Sequence, residues 1–361
     1  MAQTIHVAVL DVDAPMPAVY AARGLYSSQF RVLLQAAAAR LNKSHAFFTD
    51  HPVTVHTSAY DVVGHSLPPL EYMRTSPYST SENANENASA NGPGPIDAIL
   101  ITGSAASAYE RGKYPWIPEL QSFIVEVFTK YPHVKIFGSC FGHQIIAQAL
   151  LSTIHPNARP DNDSIRTCVE ACPSGYEIGI HPIQLNKDFT THFAPFFPKL
   201  TRKDEFRIQL IHGDRVIPVS SAAAAALLPR PWINLGSTPL CPVQGLYLPR
   251  RVLTYQGHFE FDSFVNRETC LEFARRAGWE RSFVEDSLVN IERATAGSCS
   301  LSDGLAYGEG DRDDSRLAAE MVVVFFRGWD GDEFGDRHGH GLGVNVHPQT
   351  GMITPPFVEI G

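Results

Sequence analysis

Residues 135–146, KIFGSCFGHQII, constrain this chain more than any other stretch. A short apolar run ends in a cysteine set between glycines, and an apolar helical pattern begins at once. The stretch reads as strand, tight turn and helix. A chain that reverses so sharply places Cys140 at the apex of a strained bend with its sulfur presented outward. The helix N-terminus behind it supplies backbone N–H groups and a positive dipole end, which favours thiolate over thiol. Cys140 is therefore a candidate nucleophile. The plainer reading is a small buried hydrophobe at a strand end, since free cysteine is often just that.

A cysteine nucleophile needs a base, and the base needs an orienting group. Residues 251–261, RVLTYQGHFEF, supply both. They read as a strand closing in Gln-Gly and then His-x-Glu. On an extended backbone, residues two apart point the same way, so His258 and Glu260 share a side. Acyl transfer also needs donors for an oxyanion. Candidates are the N–H of Phe141, directly after the cysteine, and the turn Gly103-Ser104 after the strand at 98–102, which also reads as an ordinary strand end.

The surroundings fit an α/β fold. Apolar, β-branched runs at residues 5–10, 98–102, 134–137, 178–184, 206–211, 243–248 and 252–255 read as strands. Helical patterns at 29–41, 116–129, 144–151 and 263–277 alternate with them early in the chain, which implies a parallel sheet. The later strands lie closer together and imply an antiparallel extension. One domain is expected over residues 1–294, interrupted by a Ser/Asn/Gly-rich disordered loop at 74–95. A flexible linker at 295–313, a helix at 314–328 packed on the domain and a Gly/His-rich flexible tail at 329–361 follow.

The net charge of −9 gives no basic footprint for nucleic acid. No apolar run is long enough to span a bilayer, and the start of the chain does not read as a signal peptide. Six scattered cysteines without a CxxC pair fit reduced thiols in the cytoplasm. Cys168 and Cys172 lack the partners of a zinc site, and the tail histidines His338, His340 and His347 sit among glycines, so no metal and no cofactor are expected.

GSCFGHQ and the downstream QGHFEF together resemble the class I glutamine amidotransferase family, whose pattern is G-x-C-x-G-x-Q followed by H-x-E. LDVDAP near the start, ITGSAASAYE, GYEIGIHPI, HGDRVIPVS and PVQGLYL extend the resemblance over about residues 4–290. It is strongest to the stand-alone branch, similar to the glutaminase half of GMP synthase and to γ-glutamyl peptidases. The resemblance implies a flavodoxin-like, mostly parallel open sheet flanked by helices and a triad of Cys140, His258 and Glu260. It implies a glutamyl-thioester on Cys140, with Gln144 and Gly103 holding the glutamyl group and its oxyanion and His212 beside the pocket.

The expected activity is cleavage of a γ-glutamyl amide, in glutamine or in a γ-glutamyl peptide such as a glutathione conjugate. The alternatives are a glutaminase subunit serving a separate synthetase or pathway enzyme, and a regulatory protein without turnover. Three departures from the family pattern bear on the pocket. No Gly-Gly pair follows the nucleophile helix, Phe259 stands where proline is common, and an alanine run at 222–226 precedes a proline-rich stretch.

Overall fold

The computed structural model describes residues 3–44, 48–49, 51–77, 94–152, 166–200, 202–219, 228–293 and 313–330. Most of the expected loop at 74–95, the linker at 295–313 except its last residue, the tail beyond 330 and the alanine run lie outside the described residues.

The first strands are β1 (Gln3–Asp11), β2 (Val53–Asp61), β3 (Ala98–Ile101) and β4 (Lys135–Ser139). Next come β5 (Arg166–Ala171), β6 (Glu177–Ile180), β7 (Ile183–Leu185), β8 (Glu205–Phe206), β9 (Gln209–His212) and β10 (Asp214–Val219). The last are β11 (Ile233–Asn234), β12 (Gly236–Ser237), β13 (Leu246–Leu248) and β14 (Val252–Tyr255). A seven-stranded central sheet runs β11-β13-β14-β4-β3-β1-β2. From β2 to β14 every neighbour pair is parallel, and β13 and β11 add the expected antiparallel edge. Read in chain order, the parallel strands follow the 2-1-3-4-5 pattern of flavodoxin-like folds, whose ligands bind beyond the carboxyl ends of the strands.

The helices are α1 (Pro17–Arg23), α2 (Tyr26–Ser44), α3 (Trp116–Lys130), α4 (Phe141–Leu150), α5 (Lys187–His192), α6 (Ser263–Ala277), α7 (Arg281–Glu292) and α8 (Ser315–Arg327). The period of two along each strand divides the buried side chains between two cores. Ile5, Val7 and Val9 of β1 join Leu100, Phe137 and Leu253 under α2 and α8. Ala8 and Leu10 join Ile99, Ile101 and Ile136 under α3 and α4. Helix α8 is buried along most of its length, with Phe326 edge-on to Phe137. Its one fully buried carboxylate, Glu320, accepts from Arg40 Nε at 2.7 Å.

Several elements differ from the sequence expectation, among them β5, β10, α1 and α5, which it did not include, and three more with a clear physical reason. β2 is a half-buried edge strand whose polar VTVHTSAYD offers little apolar signal. The run at 178–184 divides at His181-Pro182, so that β6 pairs with β9 while β7 pairs with β8 and β12. Proline has no N–H to continue a ladder. Helix α7 buries only Ser287 and Ile291, too few side chains to print an amphipathic pattern.

Candidate active site

Four strand ends and their loops build one cleft at the carboxyl edge of the parallel sheet. At the apex of the turn between β4 and α4, Cys140 has φ 51° and ψ −103°, a conformation that costs a non-glycine residue about 1–3 kcal/mol. The flanking glycines make it possible. A Cβ on Gly138 would stand 2.4 Å from the Gly142 carbonyl carbon, and one on Gly142 would stand 2.3 Å from the Ile101 oxygen. The β4–β14 register pairs Ser139 with Tyr255, which brings Gln256 and the segment after it alongside Cys140.

His258 follows two residues later, its N–H donating to Gln209 O at 2.8 Å. Its Nδ1 lies 2.7 Å from Glu260 Oε1, and the same carboxylate oxygen accepts from Ser139 Oγ at 2.9 Å. Both members of the pair are almost fully buried. Phe259, between them, turns the other way into the core against Phe30 and Phe137, as extended backbone requires. Phe261 lies flat on the imidazole, with ring centroids 3.9 Å apart and 13° between planes.

Burial opposes a positive His258, but the Glu260 carboxylate and then the Cys140 sulfur outweigh it and raise the pKa to about 10. The outer ring nitrogen, Nε2, has no hydrogen-bond partner among the described residues. Gly103 keeps thiol and imidazole in one space. A Cβ there would meet His258 Cε1 at 3.0 Å and Cys140 Cβ at 3.7 Å. The cleft is lined by these groups together with Ser104, Asp13, Tyr26 and Phe261. Ser104 Oγ and the Ala105 N–H donate to the Asp13 carboxylate at 3.2 and 2.8 Å. Phe141 opens α4, so its N–H has no intrahelical acceptor.

Gln144 and His212 are placed differently. Neither side chain lines the cleft. Gln144 Nε2 donates to Asp214 O and to Gln256 Oε1, each at 3.2 Å, and His212 Nδ1 bonds the same Asp214 carbonyl at 3.0 Å. Gln144 reaches the sulfur indirectly, because Gln256 Nε2 stands 3.7 Å from Cys140 Sγ.

No protein-family model matches the chain. Over 260 residues it is 32% identical to a glutamine amidotransferase-like protein of Schizosaccharomyces pombe, covering 72% of this chain and 81% of that one. The chain belongs to the glutamine amidotransferase-like family. This amidotransferase-like chain is also 24% identical over 200 residues to γ-glutamyl peptidase 3 of Arabidopsis thaliana, covering 55% of itself and 68% of the peptidase. It is 27% identical over 236 residues to a glutamine-hydrolysing GMP synthase of Streptomyces avermitilis, covering 62% of itself and 36% of the synthase.

Reasoning from sequence did not single out Ser139, Gln256, Phe261 or Tyr26 of this amidotransferase-like site. Ser139 and Gln256 adjoin the two motifs, so position alone offered a signal for them. Tyr26 offered none, because the fold carries it to Phe261, with ring centroids 6.0 Å apart, from the far end of the chain.

Proposed function

We propose that the chain hydrolyses a γ-glutamyl amide bond through a thioester on Cys140. The observation that carries this reading is the line of Cys140, His258 and Glu260, with the sulfur on a strained elbow and the imidazole held by a 2.7 Å bond to a buried carboxylate. The Cys140 thiolate attacks the γ-carbonyl carbon, forming an S–C bond. The oxyanion meets the Phe141 N–H and the Gly103-Ser104 turn. His258, protonated at Nε2, gives that proton to the departing nitrogen as the C–N bond breaks. Water then loses a proton to His258 and attacks the thioester, the S–C bond breaks, and glutamate leaves with thiolate and imidazolium restored. Glu260 orients the ring and stabilises its positive form, and Ser139 holds Glu260.

The test is glutamate release by the purified chain from glutamine, glutathione and a glutathione S-conjugate. Release from any of them, absent in Cys140→Ala, supports the hydrolase. Silence with all three that a co-purifying synthetase or pathway enzyme reverses assigns the chain to a glutaminase subunit. Silence under every condition, with a Cys140 that resists alkylation, removes both enzymatic readings.

A further inference from the structure

A second cysteine, histidine and glutamate converge away from the cleft. Glu177 opens β6, His212 closes β9 as its register partner, and Cys241 lies between β12 and β13. One donor atom from each, a carboxylate oxygen, an imidazole nitrogen and a sulfur, falls within 4.8 Å of the others. All three residues are buried, at 3%, 5% and 0% exposure respectively.

The cluster is rich in acceptors. His212 Nδ1 bonds the Asp214 carbonyl, which only accepts, so that nitrogen carries a proton. With Nδ1 donating, Nε2 is the ring atom open to a cation. That atom stands 3.2 Å from Glu177 Oε2 without hydrogen-bond geometry. Gln244 Nε2 donates to Glu177 Oε2 and to Thr238 Oγ1, at 2.9 and 3.0 Å, while its Oε1 has no partner among the described residues. Buried acceptors facing one another are costly unless a cation or proton lies between them.

A second proton on His212 would lie between Nε2 and the Glu177 carboxylate and would leave Cys241, whose thiol donates to Val243 O at 3.3 Å, outside the pair. A metal ion satisfies Nε2, the carboxylate and the sulfur together. The 3.2 Å separation between nitrogen and oxygen suits two ligands each about 2 Å from a tetrahedral ion. The bond from Nδ1 to a backbone carbonyl is the support that metal-bound histidines generally carry. Nitrogen and sulfur donors select zinc-like ions over magnesium or calcium.

We propose that Glu177, His212 and Cys241 form a three-ligand site for a divalent cation of the zinc type. On binding, the Cys241 thiol releases its proton to solvent as the sulfur–metal bond forms. The site supports the wall behind the elbow, because Asp214 O is shared by His212 and Gln144, and Gln144 leads through Gln256 to the Cys140 sulfur.

The test uses the full chain carrying Cys140→Ala, so that the cleft offers no thiolate. After chelation, titration with Co2+ is expected to give a sulfur-to-cobalt charge-transfer band in the near ultraviolet, bleached by added Zn2+. Tail histidines give no such band. In Cys241→Ser the band is lost, and zinc affinity against a chromophoric chelator falls roughly tenfold or more. Should that variant fail to fold, Glu177→Gln is expected to keep the band and weaken zinc by a similar factor. Absence of the sulfur band in the Cys140→Ala chain, or a band equally strong in Cys241→Ser, overturns the site. So does unchanged zinc affinity in Glu177→Gln.

Discussion

Cys140 and His258 share one cleft with Glu260 bonded behind the imidazole, whereas Cys241, His212 and Glu177 gather around a point. Under the two proposals the same three side-chain types would serve two different physical ends. In the first group the imidazole stands between sulfur and carboxylate, with its Nδ1 on Glu260 and its Nε2 without a hydrogen-bond partner among the described residues. In the proposed reaction a proton would pass between sulfur and substrate while the carboxylate steadies the ring. In the second, the imidazole spends its Nδ1 on a backbone carbonyl and turns its Nε2 to the carboxylate. None of these three side chains lines the cleft, and burial together with Glu177 pushes the Cys241 thiol pKa far up. Backbone conformation marks the difference as well, since Cys140 is held at positive φ on a helix N-terminus and Cys241 has neither feature.

The largest expected effect breaks the comparison most sharply. Cys140→Ala should lower glutamate release by on the order of 10⁴-fold or more, and Cys241→Ser by far less. Equal losses in a kinetic assay would erase the distinction between the two groups. Glu260→Gln should lower kcat by about 10²- to 10⁴-fold, the cost of losing the carboxylate that orients and charges the imidazole. It also has a pH signature. With His258 raised to about 10, the wild-type rate should fall on the alkaline side near that pH, as the acid that protonates the leaving nitrogen is lost. Removing the Glu260 charge lowers the His258 pKa, so the alkaline limb should move toward neutral pH. An unmoved limb would detach Glu260 from His258.

Ser139→Ala removes one hydrogen bond to the carboxylate, worth about 1 kcal/mol, and should slow turnover only by about 5- to 10-fold. A loss as large as that of Glu260→Gln would mean that Ser139 acts on the substrate directly. The smallest effect concerns stability. A histidine whose pKa rises on folding stabilises the protein fully below its unfolded value of about 6.5 and loses that contribution as pH climbs through about 10. The difference in Tm between wild type and Glu260→Gln should therefore shrink between neutral pH and pH of about 10. A constant difference would contradict the ion pair.

The first group was legible in the sequence because each part is written locally. Strand, glycine-flanked cysteine and helix are contiguous, and His258 and Glu260 are two residues apart on extended chain. Sheet order then did the rest, since β14 lies next to β4 and delivers the second motif to the first. The second group has no such spacing. Glu177, His212 and Cys241 meet only because β6 pairs with β9 and the loop before β13 folds over them. Ser139 and Gln256 fall between these cases, adjacent to motifs but given their tasks by strand register. The expectation that Gln144 holds the glutamyl group and that His212 lies beside the pocket rested on family resemblance. In this structure both side chains bond the Asp214 carbonyl, and Ile211 next to His212 lines the cleft. The polar edge strand β2 and the lightly buried α7 escaped notice because tertiary position, not apolar pattern, makes them what they are.

The central claim is that the sulfur of Cys140 carries the glutamyl group. Rapid acid quenching of the chain during turnover of a γ-glutamyl substrate, followed by peptide mass spectrometry, tests it directly. The account predicts an adduct with the mass of one glutamyl residue on the peptide containing Cys140, and none in Cys140→Ala. Turnover with an unmodified Cys140 peptide, or the same adduct on the Cys241 peptide, would contradict it.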